Sequence, residues 1–150
     1  MTDTSPQPNT GTNDEKDRIR RVISERGLTG AASDVKWSRL LDAMRQRDGW
    51  RPLYRYKCVD GLRSEWDAEW WHHLPFPMMS VEWFDICCFQ DVRQGAFIKP
   101  ERIDHSDWIV QILHDARFRY DLVGDIVRIH GYLPESLDGL DANSESVNHK

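Results

Sequence analysis

The sequence predicts an α+β fold, in which an antiparallel sheet of about four to six strands carries two or three helices packed mainly on one face. Three segments repeat apolar residues every three or four positions, which is typical of amphipathic helices. Several shorter segments alternate apolar and polar residues, which is typical of strands. Short turns link most of these strands, and such links favour antiparallel pairing over a parallel sheet.

Two segments differ in composition from the rest of the 150 residues. Residues 1–13 are rich in Ser, Thr, Pro and Asn without apolar periodicity, and residues 134–150 are polar and acidic. Neither segment buries enough apolar surface to offset the entropy that ordering removes, so we expect both to be disordered tails. A single α+β domain is therefore expected over residues 14–133.

Apolar stripes place the three helices along the chain. The first covers residues 14–26, with Asn13 as its N-cap. The second follows a cap at Ser33 or Asp34, and the third follows a cap at Ser106. The residues expected to face the core are Ile19, Val22 and Ile23 in the first helix, Trp37, Leu40, Leu41 and Met44 in the second, and Trp108 or Ile109, Ile112, Leu113 and Ala116 in the third.

Alternation predicts strands over residues 51–59, 65–73 and 80–89, a weaker strand over 96–99 and a hairpin over 118–132. Both faces of the third of these segments are largely apolar, which favours a central position in the sheet. An extended second segment would divide its side chains between two faces. Trp66, Ala68, Trp70 and His72 would then pack on the helices, while Asp67, Glu69, Trp71 and His73 would lie on the other face.

The side chains of Asp67, Glu69, Trp71 and His73 form the candidate protein-binding site. A tryptophan ringed by polar groups is typical of the aromatic anchors of protein interfaces. The chain has 7 tryptophans, and packing in the core accounts for some of them. The sequence leaves open the alternative that the loop Pro75–Pro77 covers Trp71.

A second candidate is an enzyme site, in which Asp85 or Glu82 acts with His73 as the acid–base pair of a small hydrolase in a tryptophan-lined pocket. Asp85 suits this role because it shares a strand face with apolar residues and is expected to be partly buried. The structural alternative is that Asp85 occupies an edge position or pairs with a residue such as Arg55 or Arg128. Catalytic residues stay unassigned, because no pair of carboxylates has a diagnostic spacing.

A third candidate is a nucleic-acid surface, in which Arg51, Arg55, Lys57 and Tyr54 form a basic strand face with a ring for stacking. The formal net charge of the chain is -5, and its acidic C-terminal segment leaves the predicted domain nearly neutral. Phosphate binding needs a clustered positive surface. Nucleic acid is therefore a disfavoured partner.

No metal or other cofactor is expected. His72 and His73 are adjacent, as are Cys87 and Cys88, so on a strand the members of each pair diverge instead of converging on one ion. The 3 cysteines suggest no disulfide framework, which favours a reducing compartment and hence the cytoplasm. The sequence shows neither a secretory signal nor an apolar run of membrane-spanning length, so a membrane is not an expected partner.

Several strings of residues form a distinctive set. They are Lys36-Trp37, Tyr54-Arg55-Tyr56-Lys57, Trp66-Asp67-Ala68-Glu69-Trp70, His73-Leu74-Pro75, Val81-Glu82-Trp83, Asp125-Ile126-Val127-Arg128-Ile129 and Gly131-Tyr132. In this set the chain resembles a family of small bacterial proteins with a domain of unknown function. The resemblance spans about residues 34–132. It implies a bacterial source and a single-domain protein, and it implies no activity.

A small cytoplasmic protein-binding module is the function that these observations favour. Small size, acidity, surplus tryptophan and the lack of a recognisable catalytic motif are typical of binders such as immunity proteins, which neutralise bacterial toxins. Many toxins that act on nucleic acids are basic, and an acidic binder would be steered toward them. The expected partner is therefore a protein, with a basic toxin as the specific example. The hydrolase described above is the alternative.

Overall fold

The structure, a computed structural model, describes residues 4–133. Its helices are α1 (Asn13–Arg26), α2 (Asp34–Arg45) and α3 (Ser106–Asp115). Its strands are β1 (Tyr54–Cys58), β2 (Val81–Cys87), β3 (Phe89–Val92), β4 (Glu101–Asp104), β5 (Tyr120–Val123) and β6 (Ile126–His130). The acidic tail expected over residues 134–150 lies outside the described residues, as do residues 1–3.

All of the strand pairs in the described chain are antiparallel. Four strands form one sheet in the order β1-β2-β6-β5, and β3 and β4 form a separate two-stranded ribbon. The position of β2 between two other strands agrees with the apolar character of both its faces. These elements confirm the α+β fold with an antiparallel sheet.

One face of the four-stranded sheet is buried beneath α2 and α3. The ring of Trp37 on α2 lies 5.7 Å from the ring of Phe84 on β2 and 5.1 Å from that of Phe118. On α3, Ile109 and Leu113 are fully buried. Removing such large apolar side chains from water is the main term that stabilises the fold. The core residues predicted for α2 are all confirmed: Trp37, Leu40, Leu41 and Met44.

Helix α1 begins one residue earlier than predicted, because Thr12 rather than Asn13 is its N-cap. The Thr12 hydroxyl accepts a hydrogen bond from the Glu15 N–H at 3.1 Å, and the Glu15 carboxylate accepts one from the Thr12 N–H at 2.8 Å. This reciprocal arrangement satisfies two backbone donors at the start of the helix. Ser33 caps α2, as predicted, by accepting from the Lys36 N–H.

The segment before α1 contacts the domain over the part that the structure describes. Pro8 is buried, and its carbonyl oxygen accepts a hydrogen bond from the Met78 N–H at 2.8 Å. The Arg45 guanidinium group donates to the Pro6 carbonyl oxygen at 2.8 Å. Composition gave no sign of these contacts, since they use backbone carbonyls that any residue provides. Residues 4–12 thus differ from the disordered segment expected there.

The segment 65–73 is not a strand, and this prediction was wrong. Within it, only Asp67 pairs with the sheet, through an isolated bridge to Tyr54 on β1. The Glu69 carboxylate accepts hydrogen bonds from the N–H groups of residues 71–73 at 2.6 to 2.9 Å. Such side-chain acceptors compete with strand pairing and turn the backbone away from the sheet. The alternation of apolar and polar residues in this segment therefore does not correspond to the two faces of a strand.

The strand expected over residues 96–99 was also misplaced. The strand lies instead at β4, beyond Pro100, where it pairs with β3. The hairpin predicted over residues 118–132 is confirmed, with β5 and β6 joined through Gly124 and Asp125. Gly124 has a φ of 62°, in the left-handed region that a two-residue hairpin turn requires.

Candidate protein-interaction surface

Charged residues form a row across the sheet face that points away from α2 and α3. The register places Arg55 on β1 beside Asp85 on β2, Asp85 beside Arg128 on β6, and Arg128 beside Asp121 on β5. The Asp85 carboxylate accepts hydrogen bonds from Arg55 Nε at 3.0 Å and from two nitrogens of Arg128 at 2.8 and 3.0 Å. The row therefore alternates cation and anion from strand to strand, which stabilises neighbouring strands.

The Asp85 side chain is completely buried, although it belongs to this outer face. A buried carboxylate destabilises a fold unless hydrogen bonds and opposite charge replace its hydration. Here two guanidinium groups supply three charge-assisted hydrogen bonds. The structural alternative for Asp85, pairing with Arg55 or Arg128, is thus confirmed for both arginines.

Two tryptophans on the same face contact guanidinium groups. Arg128 Cζ lies 3.8 Å from the ring centroid of Trp83, and Arg63 Cζ lies 5.7 Å from it. Arg55 Cζ lies 4.5 Å from the ring centroid of Trp66. A cation over an aromatic face at such distances is attracted by about 0.5–1 kcal/mol at an exposed site. The contacts hold long arginine side chains in defined positions on the surface.

An irregular segment, residues 62–67, brings Arg63 and Trp66 to the edge of this face. The Ser64 N–H donates to the Tyr56 carbonyl oxygen at 3.0 Å, so the segment follows β1 without forming a regular strand. An isolated bridge between Lys57 and Arg63 anchors its start. Loop residues thereby widen a surface that the strands alone would leave narrower.

We use the term outer sheet face for the surface formed by these residues: Arg55, Lys57, Arg63, Trp66, Trp83, Asp85 and Arg128. Trp66 is 37% exposed, and Trp83 is half-buried. Arg55 bonds Asp85 through Nε alone, and Arg63 forms no ion pair with any residue in the range 4–133. The face therefore combines aromatic rings with hydrogen-bond donors that are available to a partner. These residue types dominate the binding energy of protein interfaces.

Asp67 and Glu69, from the predicted site, accept hydrogen bonds from backbone N–H groups of their own loop. Asp67 accepts from the Glu69 N–H at 2.9 Å and lies 2.8 Å from Nδ1 of the exposed His73. Partial burial raises the pKa of both carboxyl groups, but backbone N–H donors and the nearby His73 outweigh it, so each pKa is lowered. The structure thus brings Asp67, Glu69 and His73 together as a structural cluster.

Trp71 has a different environment from these three residues. It lies half-buried against the hydrophobic core, with Arg51 Cζ 4.9 Å from its ring centroid. The Arg51 guanidinium group also donates to the carbonyl oxygens of Met44, Arg45 and Arg47, where α2 ends. Trp71 therefore joins the loop to the end of α2, and it is neither sealed in the core nor a freely exposed anchor.

The residues of the hydrolase candidate have separate partners. Glu82 accepts hydrogen bonds from Arg26 at 2.8 and 3.2 Å, Asp85 accepts from two arginines, and His73 contacts Asp67. In the part of the chain that the structure describes, no hydrogen bond joins His73 to Glu82 or Asp85. Glu82 and Asp85 are thus members of separate structural ion pairs, and His73 contacts a carboxylate of its own loop.

The basic strand face proposed for nucleic acid is divided between two sides of the sheet. Tyr54 is fully buried on the core side, where its hydroxyl donates to the Glu69 carbonyl oxygen and burial raises its pKa far above the usual range. Tyr54 therefore cannot stack on a base. Arg51 contacts the end of α2, and only Arg55 and Lys57 reach the outer sheet face.

Two of the three cysteine thiols lie in the interior of the domain. Cys58 and Cys88 are buried, and burial raises the pKa of both thiols, that of Cys88 to about 11. A thiol with a raised pKa stays protonated at neutral pH and is a weak nucleophile. Within residues 4–133, no three His, Cys, Asp or Glu side chains are grouped as ligands for a metal ion.

The sequence-based prediction missed Arg63, Trp66 and Trp83 as members of a shared surface. Trp66 was expected in the core, and its exposure corrects that expectation. One signal was present, because Trp83 and Asp85 are two positions apart on one strand and therefore share a face. A partner of Asp85 would also lie near Trp83, as Arg128 does.

These features define a small α+β domain with one sheet face beneath helices and another face that carries arginine and tryptophan. Within the described residues, no helix has both the length and the apolar character needed to cross a membrane. The chain belongs to a family of unknown function (DUF6678), which it matches over residues 19–136. The match includes most of α1, which lies outside the resemblance drawn from the sequence. No curated protein and no solved structure matches the chain.

Proposed function

We propose that this chain is a protein-binding module that contacts its partner through the outer sheet face. The observation that carries the proposal is the contact between tryptophan rings and guanidinium groups on a face that α2 and α3 leave uncovered. Tryptophan and arginine are strongly enriched among the residues that dominate binding. Arg55 and Arg128 are already held by Asp85, so they lose little conformational freedom when a partner binds.

A protein suits this face better than a nucleic acid. The rings of Trp66 and Trp83 contact guanidinium groups, so a base would have to displace an arginine before it could stack. Asp85 and Glu82 lie among the cations and reduce the positive potential that phosphate binding requires. An alternating charge pattern instead favours a protein surface of complementary pattern.

Within this class, the more specific proposal is an immunity-type protein that neutralises a bacterial toxin in the cytoplasm. The small size of the chain and its net charge of -5 support this proposal. A negative net charge increases the rate at which a basic partner is encountered.

Affinity capture from the source cells tests the proposed contact surface. The native chain is compared with Arg63→Glu/Trp66→Ser and with the control Arg39→Glu/Val35→Ser, which makes matched changes at exposed positions of α2. We expect the native chain and the control to retain one protein in near-stoichiometric amount, and the outer-face variant to lose it. Equal capture by all three chains, or recovery of nucleic acid instead of protein, contradicts the proposal.

The variant Trp71→Ala separates the outer sheet face from the neighbouring loop of Asp67, Glu69, Trp71 and His73. If the outer sheet face is the contact, a folded Trp71→Ala chain retains the partner, and thermal unfolding verifies that it is folded. If Trp71→Ala loses the partner and the outer-face variant retains it, the partner binds the loop and not the outer sheet face.

A further inference from the structure

The two edge strands of the four-stranded sheet differ in how their backbone groups are used. Along β1, residues 62–67 bond the groups that point away from the sheet. The Tyr54 N–H donates to the Asp67 carbonyl oxygen at 2.8 Å, and the Asp67 N–H returns a bond at 2.9 Å. The Ser64 N–H bonds the Tyr56 carbonyl oxygen. An edge covered in this way is protected from pairing with another strand.

The opposite edge is β5, and its outward backbone groups are free in the described chain. The His130 N–H donates to the Arg119 carbonyl oxygen at 2.9 Å, which sets the alternation of bonds between β5 and β6. Asp121 therefore bonds β6, while Tyr120 and Leu122 direct their N–H and C=O groups outward. No hydrogen bond within residues 4–133 reaches those outward groups. This edge is a template for one more strand.

A groove lies beside this edge, between β5 and α3. Its lining includes Val110 on α3, Tyr120 and Leu122 on β5, and polar residues of α3 such as Asp107 and His114. Leu122 is 53% exposed, although it lies opposite the buried Val127 and therefore on the core side of the sheet. An added strand would place alternate side chains in this groove, where they would remove the exposed apolar surface of Leu122 from water.

The charge pattern of the sheet indicates which side chain the added strand would carry. The row of alternating charges ends at the open edge with Asp121, whose side chain is 55% exposed and whose Oδ2 lies 2.8 Å from Nε2 of His130 on β6. Because Tyr120 and Leu122 provide the hydrogen bonds, the residue opposite Asp121 would form a non-hydrogen-bonded pair, in which side chains approach most closely. A cation at that position would continue the alternation and stabilise the pair.

We propose that β5 binds an extended segment of a partner protein as a fifth antiparallel strand. That segment carries lysine or arginine opposite Asp121 and apolar side chains on either side of it, which enter the groove. The inference rests on the proposed function, because it specifies how a protein partner docks on this domain. Strand addition of this kind draws affinity from backbone hydrogen bonds and specificity from side-chain sites.

Nuclear magnetic resonance on the full chain tests the inference without knowledge of the partner. The probe is a short synthetic peptide in which valine alternates with threonine, except for one central lysine. In the free protein, the amides of Tyr120 and Leu122 should exchange with solvent faster than the amide of Asp121. The peptide should slow exchange at Tyr120 and Leu122. Unchanged exchange at β5 in the presence of millimolar peptide overturns the inference.

Methylated peptides provide a matched control for backbone pairing. N-methylation of the two valines beside the lysine removes the amides that would face β5, and should weaken binding by about tenfold or more. N-methylation of two threonines changes amides that face away and should have a much smaller effect. Equal weakening by both modifications overturns strand addition.

Reversing the charge of residue 121 tests which peptide side chain lies opposite it. We expect Asp121→Lys to weaken binding of the lysine peptide by about fivefold to tenfold, and a glutamate-centred peptide to recover that loss. An identical preference of the native chain and Asp121→Lys overturns the proposed register. If the peptides do not bind β5 while the outer sheet face still captures a partner protein, only the inference of strand addition is wrong. If the peptides bind but the outer-face variant captures the partner as well as the native chain does, the outer sheet face is not the binding surface.

Discussion

Arg128 donates two hydrogen bonds to the fully buried carboxylate of Asp85, at 2.8 and 3.0 Å, from the neighbouring strand. The same guanidinium group lies 3.8 Å from the ring centroid of Trp83. One side chain therefore connects an internal ion pair with an aromatic ring on the surface. The stability of the sheet and the shape of its outer face depend on the same contact.

Replacing Asp85 should destabilise the protein strongly. Asp85→Ala removes three charge-assisted hydrogen bonds and leaves two guanidinium groups close together without a counter-ion, so we expect the free energy of unfolding to fall by about 2–3 kcal/mol. Asp121→Ala, on the same row but exposed, should cost less than about 1 kcal/mol. Urea denaturation measures both values. Equal losses would show that burial of Asp85 is not what makes it important.

The two tryptophans expected to share the core should respond differently to truncation. Trp70 is completely buried, and its Nε1 donates to the Pro52 carbonyl oxygen at 3.0 Å. Trp70→Ala should therefore lower the free energy of unfolding by about 3–5 kcal/mol. Trp66→Ala removes a surface contact with Arg55 and should cost about 1 kcal/mol or less. Similar losses in thermal or urea unfolding would contradict this assignment.

His105 is held in its neutral form by contacts at both ring nitrogens. Nδ1 accepts a hydrogen bond from Trp108 Nε1 at 2.8 Å, so Nε2 carries the proton and donates to Gln90 Oε1 at 2.8 Å. Partial burial and the guanidinium group of Arg47 lower the pKa of His105, while Asp104 acts in the opposite direction. Protonation of Nδ1 would also break the bond from Trp108.

This environment predicts a loss of stability in mild acid. The pKa of His105 in the folded chain lies below its unfolded value of about 6.5, so the unfolded chain binds the proton first as the pH falls. The contribution of neutral His105 is fully present above that pH and is lost below it. The urea concentration at the unfolding midpoint should therefore decrease as the pH is lowered from about 7.5 to about 5.5. The decrease should be smaller in His105→Gln. The same decrease in both chains would refute a role for His105.

Glu69 should control the order of the loop that follows it. In Glu69→Ala, the N–H groups of residues 71–73 lose their shared acceptor, so their hydrogen exchange should accelerate by about tenfold or more. Glu65→Ala changes an exposed glutamate that forms no side-chain hydrogen bond within the described residues, and it serves as the control. Unchanged exchange in Glu69→Ala would mean that the loop is fixed by other contacts.

Helix α2 and the final hairpin could be predicted because the signals that form them are local. Trp37 and Leu41 recur at helical spacing after a Ser33 cap, and Gly124 supplies the conformation of the turn. The prediction of a strand over residues 65–73 was wrong for an equally local reason. Its Asp67 and Glu69 side chains bond nearby N–H groups, and this competition is invisible to a pattern of apolar and polar residues.

The candidate surface could be predicted only in part. Placement of Asp85 among apolar residues pointed to a buried acid and to Arg55 or Arg128 as its partner. That both bond it at once follows from strand order, which joins residues 30 and 43 positions away. Arg63 and Trp66 reach the surface through an irregular segment beside β1. Neither strand order nor the path of that segment is encoded in local periodicity.

The outer sheet face is the proposed binding surface of this protein. Titration calorimetry of the captured partner against the native chain and against Arg63→Glu/Trp66→Ser measures its contribution. We predict that Kd rises by about tenfold or more in this variant, and that it stays within about twofold in Arg39→Glu/Val35→Ser. An unchanged Kd in a folded Arg63→Glu/Trp66→Ser chain would show that the partner does not bind through the outer sheet face.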